Sequence, residues 1–252
     1  MLPDFLKEYK QAIDKYKLET IRIEAVPLKE GKNLPFKKSK FLGKPYLPVT
    51  HKYPVSKFGK PMILFAQINF EEMPRLKGYP SKGIFQIFTS ECFWAEGTEY
   101  FSFLYHKDTT QKHQTDFSFL TEDLYLDLPI NCEHKLNFSK EIDCGGRTDF
   151  RFDLKFNGKS FKEFKKELTH EESKELNKLF NSSGHKIGGY AYFTQEDPRQ
   201  HKSENKNDVL LLQIDTDKEI MFGDAGISNV FINKDDLKKK KFDKAYFNWD
   251  CC

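Results

Sequence analysis

No run of this sequence stays apolar for long. Charged residues interrupt every stretch well short of the roughly 18 apolar positions a membrane-crossing helix needs, so a helical span is excluded. Arginine is scarce: only Arg22, Arg75, Arg147, Arg151 and Arg199 stand among 41 basic residues, which leaves few side chains for bidentate phosphate recognition. Neither charge sign is in excess, since 41 Lys and Arg against 38 Asp and Glu leave +3. That field is too small to steer the chain onto nucleic acid or an anionic membrane. The five cysteines (Cys92, Cys132, Cys144, Cys251, Cys252) are odd in number and form no C-x-x-C pattern, which argues against a disulfide framework and a zinc site. The seven histidines are scattered, with none paired at metal-ligand spacing. A Gly-x-Ser-x-Gly elbow is missing, and Gly188-Gly189 belongs to no phosphate-loop pattern. Asp4, Lys7, Glu8, Lys10, Asp14, Lys15 and Lys17 break up Met1 to Ala25, so no signal peptide is expected there. Cys251-Cys252 lacks the three following residues of a prenylation signal. The expected location is a reducing cytoplasm.

Apolar material is nevertheless plentiful. In 252 residues, 38% are hydrophobic and 15% aromatic, with 25 Phe, a load that belongs to a folded core and not to a disordered chain. Leu2, Leu6, Tyr9, Ile13 and Tyr16 recur at helical spacing and predict an N-terminal amphipathic helix packed on something apolar. From Leu18 to Val26 the pattern alternates, with Ile21 and Ile23 on one face and Arg22 and Glu24 on the other, as in a half-buried strand.

An internal repeat organises the rest. Lys40-Phe-Leu-Gly-Lys-Pro-Tyr-Leu lies over Lys186-Ile-Gly-Gly-Tyr-Ala-Tyr-Phe, and without a gap Ile63-Leu-Phe-Ala-Gln-Ile-Asn69 then falls on Val209-Leu-Leu-Leu-Gln-Ile-Asp215. After a small shift, Gly83-Ile-Phe-Gln-Ile-Phe88 meets Gly226-Ile-Ser-Asn-Val-Phe231. Three blocks in one order predict a duplication, with copies at about 36–92 and 184–237 of a single domain spanning 1–252. Each copy reads as a glycine turn, a polar loop, a buried strand, a turn and a further strand. Between the copies, Phe101 to Tyr105, Phe117 to Leu120, Leu124 to Leu128 and Phe150 to Phe156 alternate and are expected to be strands. Phe161, Phe164 and Leu168, then Leu176, Leu179 and Phe180, carry helical patterning, and Thr169-His-Glu-Glu172 fits a capping box. The fold class expected is α+β, mainly antiparallel or mixed β, with an N-terminal helix and a mid-chain helical segment.

Ser39-Lys-Phe-Leu-Gly-Lys-Pro-Tyr-Leu-Pro48, Leu64-Phe-Ala-Gln-Ile-Asn69, Gly184-His-Lys-Ile-Gly-Gly-Tyr190, Phe193-Thr-Gln-Glu-Asp-Pro-Arg199, Phe222-Gly-Asp-Ala-Gly-Ile227 and Tyr246-Phe-Asn-Trp-Asp-Cys251 resemble the YwqG-like proteins, a bacterial domain of unknown function. The first turn departs from the usual double glycine, having Leu42-Gly43, and Phe222 stands where Trp is common. The resemblance implies two similar β subunits and cytosolic members, some beside polymorphic-toxin genes, and it implies no reaction.

For chemistry, Asp215, Asp224 and Asp250 are the metal candidates in an Asp-rich C-terminal half, although Asp beside Gly or Pro is ordinary in turns. Gln67 and Gln213 interrupt apolar strands at equivalent positions and need partners for their amides, either a glycine turn or a ligand. The lysine runs at 37–40 and 238–241 read as solvated faces, the second lying between Asp235-Asp236 and Asp243. The expected function is protein binding, with toxin neutralisation its sharpest form, and no cofactor, nucleic acid or membrane is expected. Lys40, Tyr46, Gln67, Lys186, Tyr192, Gln195, Asp197, Arg199 and Gln213 are the candidate binding residues, lining a groove framed by the two copies. The alternative is a metal-dependent enzyme or small-ligand binder built on the Asp-rich half.

Overall fold

The computed structural model describes residues 2–95 and 97–251. Met1 and Cys252, which bear on the leader and prenylation readings, lie outside the described residues. The described strands are β1 (Leu18–Pro27), β2 (Lys40–Phe41), β3 (Ile63–Asn69), β4 (Ile84–Thr89), β5 (Phe101–His106), β6 (His134–Asp143), β7 (Lys186–Gly188), β8 (Asp208–Asp215), β9 (Ile227–Asn233) and β10 (Tyr246–Asp250). They form one sheet in the order β10-β9-β8-β7-β1-β6-β2-β3-β4-β5. All the pairings between these strands are antiparallel. The sheet curls into a nearly closed, barrel-like arrangement that brings Phe101 of β5 and Phe247 of β10 into a stack with ring centres 4.1 Å apart.

Burial explains why some strands alternate and others do not. Along β1, Ile21 and Ile23 are buried while Arg22 and Glu24 face outward, as period two requires. In β3 and β4 every residue is buried. Their inner faces meet the common core, where Phe65 and Ile68 join Leu211, Ile214 and Val230 from the other half. Their outer faces lie under loops, in a small cluster of Met62, Leu64 and Phe88; on the other side Ala191, Phe193, Leu210 and Phe231 form its counterpart. Strands covered on both faces read as continuous apolar runs.

Helices occupy one flank. A 3-10 turn at Asp4–Tyr9 leads into α1 (Lys10–Tyr16), and α2 (Phe161–Lys165) and α3 (His170–Leu179) pack against them through Leu6, Tyr9, Ile13, Phe164 and Leu176. The expected capping box of Thr169 and Glu172 starts α3, and a second one, Ser160 with Glu163, starts α2. The fourth helix, α4 (Lys234–Lys238), follows β9.

The middle of the chain differs from its sequence pattern. Residues 117–120 form turns, Glu122–Tyr125 is a 3-10 helix and 150–156 is irregular. Their apolar side chains are buried all the same: Phe117 packs against Phe36 and Tyr53, Leu124 joins the common core, and Leu154 lies among the helices. The long strand there is β6, most of whose residues are exposed and several charged, so it carries little alternation to read.

The two flanks of the central β1–β6 pair share a set of side-chain bonds. Gln67 Oε1 accepts from Tyr46 N (2.9 Å), and its Nε2 donates to the carbonyls of Phe36 (2.6 Å) and Lys38 (2.8 Å). The geometry at Gln213 is the same in kind: its Oε1 accepts from Tyr192 N (2.8 Å), and its Nε2 donates to Ser182 O (2.9 Å) and Gly184 O (2.7 Å). Ser39 Oγ accepts from Asn69 N, and His185 Nδ1 accepts from Asp215 N in the matching place. Register shifts fall at Leu64/Ala66 and Leu210/Leu212. The turns correspond as well: Gly188 and Gly189 have φ of 73° and 70°, and Leu42 and Gly43 have 55° and 80°. Leu42 therefore holds a left-handed conformation that costs a side-chain-bearing residue strain.

Replacing Gln67 by Met keeps the volume and removes the amide, leaving the Tyr46 N–H and two carbonyls without that partner. Urea unfolding is expected to show a loss of at least about 3 kcal/mol, with a comparable loss for Gln213→Met. A far smaller loss at one position would mean that the two amides do unequal work.

Candidate functional site

The residues singled out by sequence are mostly inside. Lys40 is fully buried; its Nζ donates to Leu34 O (3.3 Å) and Lys44 O (3.2 Å) and pairs with Glu133 at 3.2 Å. Lys186 is equally buried and pairs with Asp143 at 2.7 Å. Burial pushes the Lys40 ammonium down against the pull of Glu133, and it pushes Lys186 down to about 8 against the pull of Asp143. The two acids flank opposite ends of β6, and β2 and β7 stand three strand spacings apart, roughly 14 Å along the sheet. The lysines therefore tie the sheet together and do not meet in one groove.

Arg199, with Asp197 beside it, was expected on an accessible turn; both are buried. The Arg199 guanidinium forks onto Asp197, with Nε to Oδ1 at 2.9 Å and Nη2 to Oδ2 at 2.6 Å, reaches Asp149 at 2.9 Å, and donates to Asp208 O at 3.1 Å. Its plane lies 4.3 Å from the Phe231 ring centre. Burial alone would raise the Asp149 carboxyl, yet Arg151 and Arg199 hold it well below the usual carboxylate range. Burial likewise works against the Arg199 charge, and Asp197 and Asp149 outweigh it.

Tyr46 is buried and its hydroxyl donates to carbonyls of Asp108 and Gln111. Tyr192 is half-buried, and Gln195 is exposed with its Nε2 donating to Cys251 O at 2.7 Å. Of the metal candidates, Asp215 accepts from Gly184 N and Thr216 N, Asp250 Oδ2 accepts from Thr194 N, Thr194 Oγ1 and Gln195 N, and Asp224 is exposed. Among the described residues no group of three or more His, Cys, Asp or Glu gathers to hold a metal ion.

A site that sequence reasoning did not assemble lies where the sheet fails to close. No backbone ladder joins β5 to β10 among the described strands. Rings bridge the gap instead: Tyr105 stacks on Phe242 at 4.6 Å, Phe101 on Phe247 at 4.1 Å, and Trp94 meets Trp249 edge-on at 4.9 Å. Beside this seam is a cavity of about 450 Å³ whose wall includes Trp94, Phe101, Tyr246, Phe247 and Trp249, with Thr98, Lys202, Asn205 and Asn248 at its polar side. The five rings are half-buried. The chain has two Trp, and their convergence is the signal that could have pointed here, but it needs the strand order to be read.

Residues 39–251 match a family model described as a domain of unknown function (DUF1963). The match begins beyond β1, which nonetheless sits mid-sheet between β6 and β7. No curated protein matches the chain.

Removing Arg199 leaves Asp197 buried without its cation and Asp149 with Arg151 alone. Arg199→Met is expected to cost about 3–5 kcal/mol in chemical denaturation; an unchanged midpoint would return the residue to the list of surface anchors. Acid should also act through His106. Its Nε2 donates to Gln86 Oε1 at 2.9 Å, and burial, with His51 nearby, lowers it from 6.5 to about 4. The unfolded chain then binds more protons than the folded one between those values. Stability is expected to fall as pH drops from 6.5 to 4, by at most roughly 3 kcal/mol, and to lose no more from this group below that. His106→Gln, which can still donate to Gln86, should flatten that stretch of a stability-pH curve; an unaltered slope would assign the acid response elsewhere.

Proposed function

The chain belongs to the DUF1963 family, and on that premise we propose that it is a protein-binding domain whose partner seats an apolar or aromatic side chain in the cavity between β5 and β10. The observation that carries this reading is the gathering of both tryptophans with Phe101, Tyr246 and Phe247 in one half-buried wall. Such rings give large contact area for little lost rotamer freedom, and they dominate interface energetics. Thr98, Asn205 and Asn248 add hydroxyl and amide groups suited to a peptide backbone, and Lys202 supplies one cation. No buried charged group converges on the cavity wall among the described residues, which favours a peptide segment over a small polar ligand.

The finer identity belongs to the same proposal: a YwqG-like protein of bacterial origin, working in the cytoplasm, with a toxin as one class of partner. The four cysteines among the described residues are free, which suits a reducing compartment. A companion proposal is that one ancestral unit was duplicated to give the repeats at about 36–92 and 184–237. It is supported by the paired glutamine, turn and register features at constant spacing, and the two glutamine variants test it.

Because both tryptophans stand in the wall, intrinsic emission reports on the cavity. Peptides selected from a displayed random library on the wild-type protein are expected to shift that emission and to bind Trp94→Ala about thirtyfold more weakly, as for a hot spot of about 2 kcal/mol. Circular dichroism of the variant checks that it is folded. Peptides that bind both proteins equally, without moving the emission, would remove the cavity from the reading.

A further inference from the structure

Comparing the two flanks of the sheet exposes a place where a bond is replaced by two unpartnered acceptors. In the first flank Gln86 donates through Nε2 to Tyr46 O (2.6 Å) and to Gln67 Oε1 (2.7 Å), while its Oε1 receives the His106 Nε2–H. In the second flank Asn229 holds the place of Gln86, and its Nδ2 donates to Tyr192 O at 2.9 Å. Asn229 is 0% exposed, and its Oδ1 has no hydrogen-bond partner. Turning the amide over would set that oxygen against Tyr192 O, so the assignment stands on the carbonyl it serves.

Strand register identifies the residue that stands in the place of His106. Gln86 pairs with Leu104, and His106 lies two residues further along β5. Asn229 pairs with Asn248, and Asp250 lies two residues further along β10, on the same face and the same diagonal. Asp250 Oδ2 is engaged by Thr194 and Gln195, whereas its buried Oδ1 is again without a partner. Asn and Asp are each shorter than the Gln and His they replace, so the direct side-chain bond of the first flank has no counterpart in the second.

We infer that the Asn229–Asp250 pair is a binding site for a small monovalent cation, of the size of sodium, potassium or ammonium. Two unpartnered buried oxygens need a donor or a cation, and the charge of the carboxylate favours a cation, because burying acceptors without a counterpart is costly. Asp143, Asp149, Asp197 and Glu133 each pair with a Lys or Arg, but Asp250 forms no ion pair within 4.0 Å among the described residues. One carboxylate and one amide supply a single negative charge, which suits a monovalent ion, and hard oxygen donors suit an alkali cation. Thr194 Oγ1, which donates its proton to Asp250, keeps lone pairs beside the site.

Thermal unfolding of the full chain in sodium, potassium, ammonium and tetramethylammonium chloride at equal ionic strength tests this. A cation bound only by the folded state raises the midpoint with its concentration. The expected result is a higher midpoint in at least one of the small-cation salts than in tetramethylammonium, the preferred salt naming the ion. Asp250→His should abolish that difference by restoring a contact of the Gln86–His106 kind. Should that variant fail to fold, Asn229→Ala removes one oxygen and leaves the Thr194 and Gln195 bonds to Asp250 intact. Equal wild-type midpoints in all four salts would overturn the proposal, as would a cation preference that persists in a folded variant.

Discussion

A primary amide carries two donor hydrogens and one acceptor oxygen in a rigid plane, and here two such groups hold the strand layout in place. Gln67 and Gln213 interrupt strands that are otherwise apolar, and each binds the backbone of segments about 20 to 30 residues away. Without them the segments before β2 and β7 would present unpaired carbonyls to a dry interior. The glycine turns, the buried lysines and the covering loops all follow from where those segments are held. Lys40 and Lys186 extend the same scheme with charge, each meeting an acid near one end of β6.

Much of this arrangement was legible in the residues. The blocks around Lys40, Gln67 and Gln86 and those around Lys186, Gln213 and Asn229 could be laid over each other, and the structure places them at mirrored positions in the strand order. The N-terminal helix and the alternating β1 were readable because their periods were clean. What failed was the middle. Phe117, Leu124 and Leu154 alternate with polar neighbours for a different reason, since each is buried from a turn, a 3-10 helix or an irregular segment and not from a strand. β6 was invisible because only a few of its residues are buried, while Lys135, Lys140 and Glu141 are exposed. Long-range pairing decides that strand, not local preference.

Site residues were less legible than the fold. Lys40, Lys186 and Arg199 were singled out as candidate binding residues, and charge in a sequence is read as exposure unless a partner can be named. Their partners, Glu133, Asp143 and Asp149, lie in a region whose fold the sequence obscured, so the ion pairs could not be foreseen. The aromatic wall was hidden for the opposite reason: Trp94 and Trp249 are far apart along the chain and ordinary within their own segments. Only the curl of the sheet brings them together.

That curl also governs how the molecule treats copies of itself. A strand at the border of a sheet offers unpaired amides and carbonyls to any other strand, and this is how folded chains come to polymerise. β5 and β10 are the two borders of the ten-stranded sheet, and stacking brings each against the other. Stacked rings are held by contact area and not by directed bonds, so the fastening can loosen without a ladder being broken. Loosening it would bare both borders together, making the ring pairs a guard against self-assembly as much as a part of the core.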